Sequence, residues 1–81
     1  MKLSRDESGE SLIKKLAKVG YGVNRQKGSH IRLSRTTEFT EHHLTIPNHD
    51  PIKIGTLSKI LNDVAKHLEI SKEELAKLIN E

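Results

Sequence analysis

Apolar residues recur at helical spacing early in the chain. In residues 12–19 they share one face, with lysines on the other, and this arrangement predicts a short amphipathic helix. Ser8 or Ser11 is expected to cap its first turn, and Gly20 is expected to follow its end in a left-handed conformation. A helix this short needs a partner surface, so we expect it to pack on a sheet.

A second apolar stripe at helical spacing lies near the end of the chain. It runs through residues 57–68, is the longest in the sequence, and predicts the main core helix, which begins at Gly55 or Thr56. A last amphipathic segment over 71–80 predicts a further helix. Ser71, with a glutamate three residues later, forms a capping box for this helix.

Between these helical segments, apolar and polar residues alternate at every second position, which is typical of strands. Tyr21 and Val23 are predicted to face the core from the first strand, and Lys27-Gly28 to form the turn that follows. Pro47 ends the third strand. The opposite, polar face of the sheet is predicted to hold Asn24, Gln26, His30, Arg32, His43 and Thr45.

The order of elements is therefore α-β-β-β-α with an additional C-terminal helix. Three consecutive strands with tight links predict an antiparallel meander, whose apolar face meets the two main helices in a two-layer α+β domain. We expect one domain over residues 1–81 with its core in 8–68.

The composition excludes several classes of protein. The chain has 81 residues and no cysteine, so disulfides, cysteine-ligated zinc and a thiol nucleophile are excluded. Apolar runs fall short of the ~20 residues of a membrane span, and residues 1–10 lack the apolar core of a signal peptide. A cytoplasmic protein without membrane association is expected.

Positive charge is concentrated in the first half of the chain. The net charge is +3, but Leu12 to Arg35 contains seven Lys and Arg residues and no Asp or Glu. Such an asymmetry favours a polyanionic partner such as a nucleic acid. A solvated lysine face without a partner is the alternative that the charge pattern leaves open.

His30 is the candidate for proton transfer. Arg32 lies two residues further on the same strand face, and Arg25 and Lys27 flank His30 across the turn. An imidazole exchanges protons near neutral pH, and nearby cations stabilise charge developing on a phosphate. This arrangement is suited to metal-independent RNA cleavage with His30 as general acid or base. Without further support, an isolated strand histidine is more often an ordinary surface residue.

The other histidines give weaker signals. His42, His43 and His49 cluster near the third strand, but adjacent strand residues point to opposite faces, so a metal site is not expected. No cofactor-binding motif is present. His67 is expected at the surface or boundary of its helix, and Phe39 as an anchor of its loop.

Several short segments form a pattern in a fixed order and spacing over about 60 consecutive residues. These segments are Ser8-Gly9, Leu12 to Leu16, Gly20-Tyr21, Arg25 to His30, Thr45 to Pro47, and Ile54 to Leu61. Together they resemble the HicA toxin family. Two positions depart from the family pattern: Ile31 replaces a second histidine, and the stretch after Pro47 is less cationic than usual.

The resemblance implies a fold like that of a double-stranded RNA-binding domain and the activity of a small ribonuclease that cleaves mRNA, halting translation and growth. It assigns the catalytic role to His30 in the Gly-Ser-His motif. It also implies an antitoxin, HicB, that covers this histidine, and a toxin–antitoxin complex that reaches DNA only through the antitoxin. Phosphate binding is expected from Arg25, Lys27 and Arg32, with Gly28 and Ser29 in the turn where RNA approaches.

Two other functions remain open at this point. The first is a non-catalytic RNA-binding module of the same fold, which would read duplex RNA through phosphates and 2′-hydroxyl groups. The second is a protein-interaction domain whose polar sheet face meets a partner subunit. The first would bind RNA without turnover, and the second would show no RNA affinity even at low salt.

Overall fold

The computed structural model describes residues 7–80. Its three strands form an antiparallel sheet in the order β1-β2-β3, and the predicted α+β order with an additional C-terminal helix is confirmed. The elements are α1 (Gly9–Ala17), β1 (Gly22–Lys27), β2 (His30–Thr36), β3 (Glu41–Pro47), α2 (Ile54–Leu68) and α3 (Lys72–Asn80).

Helix α1 begins three residues earlier than its apolar periodicity indicates, because a capping box lies in front of it. The Ser8 hydroxyl accepts a hydrogen bond from the Ser11 backbone N–H at 3.1 Å, and the Ser11 hydroxyl accepts one from the Ser8 N–H at 3.1 Å. The Ser11 hydroxyl also donates to the buried Glu7 carboxylate, which pairs with Lys15 at 2.6 Å. These contacts satisfy backbone donors that the first turn of a helix leaves without partners.

One face of the sheet is buried under the helices. The first half of β2 alternates, with Ile31 and Leu33 buried on the helix side and Arg32 exposed between them. Strand β3 adds buried residues at Leu44 and Ile46. The predicted stripe of α2 lies in this core, where Leu57, Ile60, Leu61, Val64 and Ala65 are all buried.

Strand β1 departs from simple alternation. The register shifts between Val23 and Arg25, where a β-bulge adds one residue to this strand. Beyond the bulge Gln26 pairs with Ile31, so Gln26 lies on the helix side and its predicted place on the polar face is wrong. Val23 pairs with Leu33 and shares its side of the sheet, but it is 57% exposed, as every residue of β1, one of the two edge strands, is exposed.

Two smaller predictions are also wrong. Phe39, expected to anchor its loop, is 88% exposed. Helix α2 begins at Ile54 rather than Gly55 or Thr56, with Lys53 as its N-cap and without a side-chain hydrogen bond at that cap. The chain there leaves the third strand through a loop, and the periodicity of apolar residues does not fix where a helix starts.

Helix α3 belongs to the same core. Leu75 and Ile79 are buried, and the Ser71 hydroxyl caps the helix by accepting a hydrogen bond from the Glu74 N–H at 3.1 Å. Between α2 and α3 the chain turns at Glu69, whose φ of 58° lies in the left-handed region.

A ring stack joins β3 to α2. The His42 and His67 rings lie 4.3 Å apart with 10° between their planes, and the hydroxyl of buried Tyr21 lies 2.7 Å from His42 Nδ1. The Nε2 atom of His67 is buried without a hydrogen-bond partner in the described residues. His67 is half-buried and therefore lies at the boundary of its helix, as expected, but it also contributes a packing contact that its sequence position does not reveal.

Truncating α3 on its buried side is expected to destabilise the whole domain. Leu75→Ala removes a fully buried side chain and should lower the free energy of unfolding by about 2–5 kcal/mol. Leu78→Ala is the matched control in the same helix, because Leu78 is 51% exposed, and it should cost less than about 0.5 kcal/mol. Urea denaturation measures both values, and equal costs would show that α3 does not pack as described.

The His42 stack should make stability depend on pH. Burial, and then the neighbouring His67, lower the pKa of His42, with Asp63 opposing and His43 adding to the shift. The unfolded chain therefore binds this proton more tightly, so stability is lost as the pH falls through the ordinary range of histidine. His42→Phe keeps an aromatic ring in the stack and removes the titration.

Urea denaturation at pH 7, 6 and 5 tests this expectation. The wild-type protein should lose more of its free energy of unfolding between pH 7 and 5 than the His42→Phe variant does. Carboxylates that titrate in the same range are common to both proteins, so the difference between the two curves isolates the histidine. Parallel curves would contradict the assignment.

Candidate functional site

The hairpin between β1 and β2 places His30 at one end of the sheet. Lys27 ends β1 and pairs with His30, the first residue of β2, so Gly28 and Ser29 alone make the turn. Gly28 has a φ of +59°, and apart from Gly28 and its two neighbours in the chain no atom of the described residues lies within 4 Å of the position its Cβ would occupy. Glycine is therefore favoured here by its backbone conformation, and open space surrounds the tip of the hairpin.

The open face of the sheet forms a cavity of about 490 Å³ at this end. Strand pairing accounts for the lining, because Arg25 pairs with Arg32, and Arg32 pairs in turn with Thr45 on β3. We refer to it as the cationic cavity. It is lined by Arg25, Lys27, Gly28, Ser29, His30, Arg32 and Thr45. All six residues predicted for catalysis or RNA binding are thus brought together, and Thr45 joins them.

The β-bulge accounts for the cations of this cavity. Asn24, at the bulge, still reaches the open face, where its Nδ2 donates to the Ser34 hydroxyl at 3.0 Å. The extra residue then places Arg25 and Lys27 on that same face, beside His30. Within residues 7–80 the lining contains three cations and no carboxylate, so the cavity attracts anions such as phosphate.

A second cavity of about 350 Å³ adjoins the first. It shares His30 and Thr45 with the cationic cavity, so His30 stands between the two. We refer to it as the His49 cavity. Its lining residues are His30, Thr45, Pro47, His49, Lys53 and Thr56. Sequence reasoning missed the contribution of His49, Lys53 and Thr56, because strand alternation carries no information about where the following loop folds back.

Main-chain contacts hold that loop against the hairpin. The Asn48 N–H donates to the Ser29 carbonyl at 2.6 Å, and the Gly9 N–H donates to the His49 carbonyl at 2.9 Å. The backbones approach so closely that a Cβ on Gly9 would lie 2.6 Å from the Pro47 carbonyl oxygen. The start of α1, the β1–β2 turn and the end of β3 are therefore fastened together beside His30.

A separate hydrogen-bonded group lies further along the open face. His43 Nδ1 lies 2.7 Å from the Ser34 hydroxyl, and its Nε2 lies 2.7 Å from a Glu41 carboxylate oxygen. The Asn24 amide also donates to the Ser34 hydroxyl, so each of the four side chains in this group has a hydrogen-bond partner. The Glu41 carboxylate fixes the Nε2–H tautomer of a neutral His43, which leaves Nδ1 to accept the Ser34 proton.

The five histidines fall into two groups by their contacts. His42 and His67 stack on each other, and His43 is hydrogen-bonded on both nitrogens. His30 and His49 are exposed, and within residues 7–80 neither imidazole makes a hydrogen bond or an ion pair. These two rings line the His49 cavity, where they are free to contact a ligand.

Two other kinds of feature are absent from the described part of the chain. In the described part of the chain, no group of three or more His, Cys, Asp or Glu side chains is placed to hold a metal ion. None of the helices between residues 7 and 80 combines the length and apolar character needed to cross a membrane.

Fold and site together define a small α+β domain that presents a histidine among cations on the open face of a three-stranded sheet. Residues 9–68 match the family model described as the HicA toxin of bacterial toxin–antitoxin systems. Because this match covers most of the chain, the protein belongs to the HicA toxin family, and the resemblance seen in the sequence is confirmed. Comparisons with curated proteins and with solved structures gave no match.

Family membership establishes the general role. The family consists of toxins of bacterial toxin–antitoxin systems, which are generally ribonucleases and which imply an antitoxin partner. The matched range ends at residue 68, where α2 ends. Helix α3 thus lies outside the family match although Leu75 and Ile79 are buried in the same core.

The close approach at Gly9 generates a test of how the site is held together. Gly9→Ala should lower the free energy of unfolding by about 1–3 kcal/mol, because the added methyl group collides with the Pro47 carbonyl. Gly55→Ala is the control: it lies in the first turn of α2 with nothing within 4 Å, and alanine favours helix there. Urea denaturation compares them, and equal stability of the two variants would refute the close contact.

Proposed function

We propose that the protein is the toxin of a type II toxin–antitoxin system and a metal-independent endoribonuclease that cleaves mRNA, with His30 as general acid or base. The observation that carries this proposal is the position of the His30 imidazole. It is exposed, has no hydrogen-bond partner within residues 7–80, and stands between two cavities beside Arg25, Lys27 and Arg32. Membership of a family that consists generally of ribonucleases supports it.

The chemistry of RNA cleavage matches these groups. The 2′-oxygen attacks the adjacent phosphorus, one proton leaves the 2′-hydroxyl, and another reaches the departing 5′-oxygen. An imidazole is suited to either transfer near neutral pH. Negative charge that builds on the phosphate oxygens is stabilised by nearby fixed cations. DNA lacks the 2′-hydroxyl and is not cleaved by this route.

The remaining residues of the cationic cavity bind the RNA backbone in this proposal. Arg25, Lys27 and Arg32 are exposed and contact phosphates. Gly28 and Ser29 form the tip of the hairpin, and the open space around Gly28 lets a sugar–phosphate chain approach the backbone closely. Neither a cofactor nor a metal ion takes part in the proposed step.

The partner of the toxin follows from the same site. Family membership implies an antitoxin, and we infer that it is a HicB-like protein that inhibits by covering His30. The cavities beside His30 face away from the buried core, so they are open to a partner surface. Any contact with DNA is made by the antitoxin within the complex. The proposed place of action is the cytoplasm, where mRNA is translated.

Cleavage assays on the purified protein test the proposed function. A long RNA of mixed structure, and DNA of the same sequence, are incubated in excess EDTA with the wild-type protein or with His30→Ala. We expect cleavage of RNA only, reduced at least about 100-fold in the variant, because a general acid or base typically contributes that much. His30 is exposed, so the variant should keep the wild-type circular dichroism spectrum and urea midpoint.

Other outcomes have distinct meanings. Unchanged cleavage by a folded His30→Ala variant would remove His30 from the reaction. RNA binding without cleavage by either protein, falling steeply with salt, would instead support a non-catalytic RNA-binding module of this fold. Cleavage that stops on adding EDTA would show that a metal ion is required.

A further inference from the structure

We propose that His49 is the second proton-transfer group of the RNA cleavage reaction, facing His30 across the His49 cavity. This inference rests on the proposed function, because it assigns a role within that reaction. It follows from four features of the structure: a shared cavity, a fixed loop, two free imidazoles and a favourable charge.

The shared cavity is suited to one phosphodiester linkage. At about 350 Å³ it lies near the small end of the ~300–1,000 Å³ range of ligand sites. His30 and His49 both line it, together with Thr45 and Thr56. Lys53 is the one fully charged lining residue within residues 7–80, so the cavity favours an anion.

The backbone around His49 is held rigidly relative to His30. The Asn48 N–H donates to the carbonyl of Ser29, so this hydrogen bond joins the immediate neighbours of the two histidines. On the other side, the His49 carbonyl accepts from the Gly9 N–H at 2.9 Å. Because all of these bonds use main-chain atoms, they fix the position of His49 and leave its imidazole free.

The end of the same loop is also anchored. Ile52 is buried with 1% exposure, and its N–H donates to the Glu7 carbonyl at 2.8 Å. One end of the segment that carries His49 is therefore bonded to the hairpin and to the start of α1, and the other end to the residue before the N-cap of α1. A group held in this way meets the requirement that a proton-transfer residue be positioned before substrate arrives.

Contacts elsewhere exclude the other histidines from this role. His42, His43 and His67 are occupied by stacking or by hydrogen bonds, and none of them lines the His49 cavity. The start of α2 favours a phosphate as well, since its first turn contains no acidic residue, and Asp50, the acidic neighbour of His49 in the chain, does not line the cavity.

The reaction requires two proton transfers, and the two imidazoles account for both. One neutral imidazole takes the proton of the 2′-hydroxyl as the 2′-oxygen bonds to phosphorus. The other, protonated imidazole gives its proton to the 5′-oxygen as the P–O5′ bond breaks. The products are a 2′,3′-cyclic phosphate and a 5′-hydroxyl end, so atoms and electrons balance without a further reactant.

The pH dependence of kcat/KM tests this assignment directly. The substrate is a short RNA with a single cleavage site, and the proteins compared are the wild type, His49→Ala, His49→Gln and His43→Ala. We expect a bell-shaped profile for the wild type, because one group must be protonated and the other neutral. Both His49 variants should lose at least about 100-fold in kcat/KM and lose one limb of the profile.

Two controls separate this role from a structural or binding one. His43→Ala removes a histidine of β3 that lies outside both cavities, and it should keep both limbs and most of the rate. The dissociation constant for a non-cleavable RNA with a 2′-deoxy residue at the cleavage site should change less than about 3-fold in the His49 variants, whereas the loss in rate should exceed 100-fold.

Failure of this inference is distinguishable from failure of the proposed function. If the wild type cleaves and His30→Ala does not, but the His49 variants keep both limbs of the profile, His49 has no part in proton transfer. A loss of rate matched by an equal loss of RNA binding also overturns the inference. If the wild-type protein cleaves no RNA at all, the proposed function itself fails, and this assignment fails with it.

Discussion

Burial of only one face of the sheet is the constraint on which the rest of the structure depends. In β2, Ile31 and Leu33 lie in the core, so the intervening Arg32 must lie on the open face. A slip of one residue would bury arginine and His30 and expose both apolar side chains. The contacts that stabilise this small core therefore also fix the register of the cations around His30.

Local patterning predicted much of this arrangement. The period of 3.6 marked α2, and the period of 2 marked β2, where burial on one face enforces the alternation. The prediction from alternation was wrong in β1, where the bulge beyond Val23 places Gln26 on the opposite face of the sheet. An edge strand with little buried surface tolerates such an insertion, and no residue type in the sequence indicates where the bulge lies.

The least predictable part of the site is the loop after Pro47. Its position depends on main-chain hydrogen bonds to Ser29 and Gly9. Because such bonds do not depend on the side chains, the amino-acid sequence does not indicate them. His49 is brought beside the hairpin for this reason, although it lies 19 positions after His30. The stack of His42 on His67 could not be predicted either. The strand pattern of β3 and the helix pattern of α2 do not indicate which of their side chains contact each other.

The outer position of β1 has a consequence for how copies of the protein behave in solution. Within residues 7–80 this outer edge has no strand partner, and such edges favour pairing with a second chain. Arg25 and Lys27 are exposed on this strand. Two such edges brought together would place like charges side by side, so the cations that line the cavity also oppose pairing of two copies through β1.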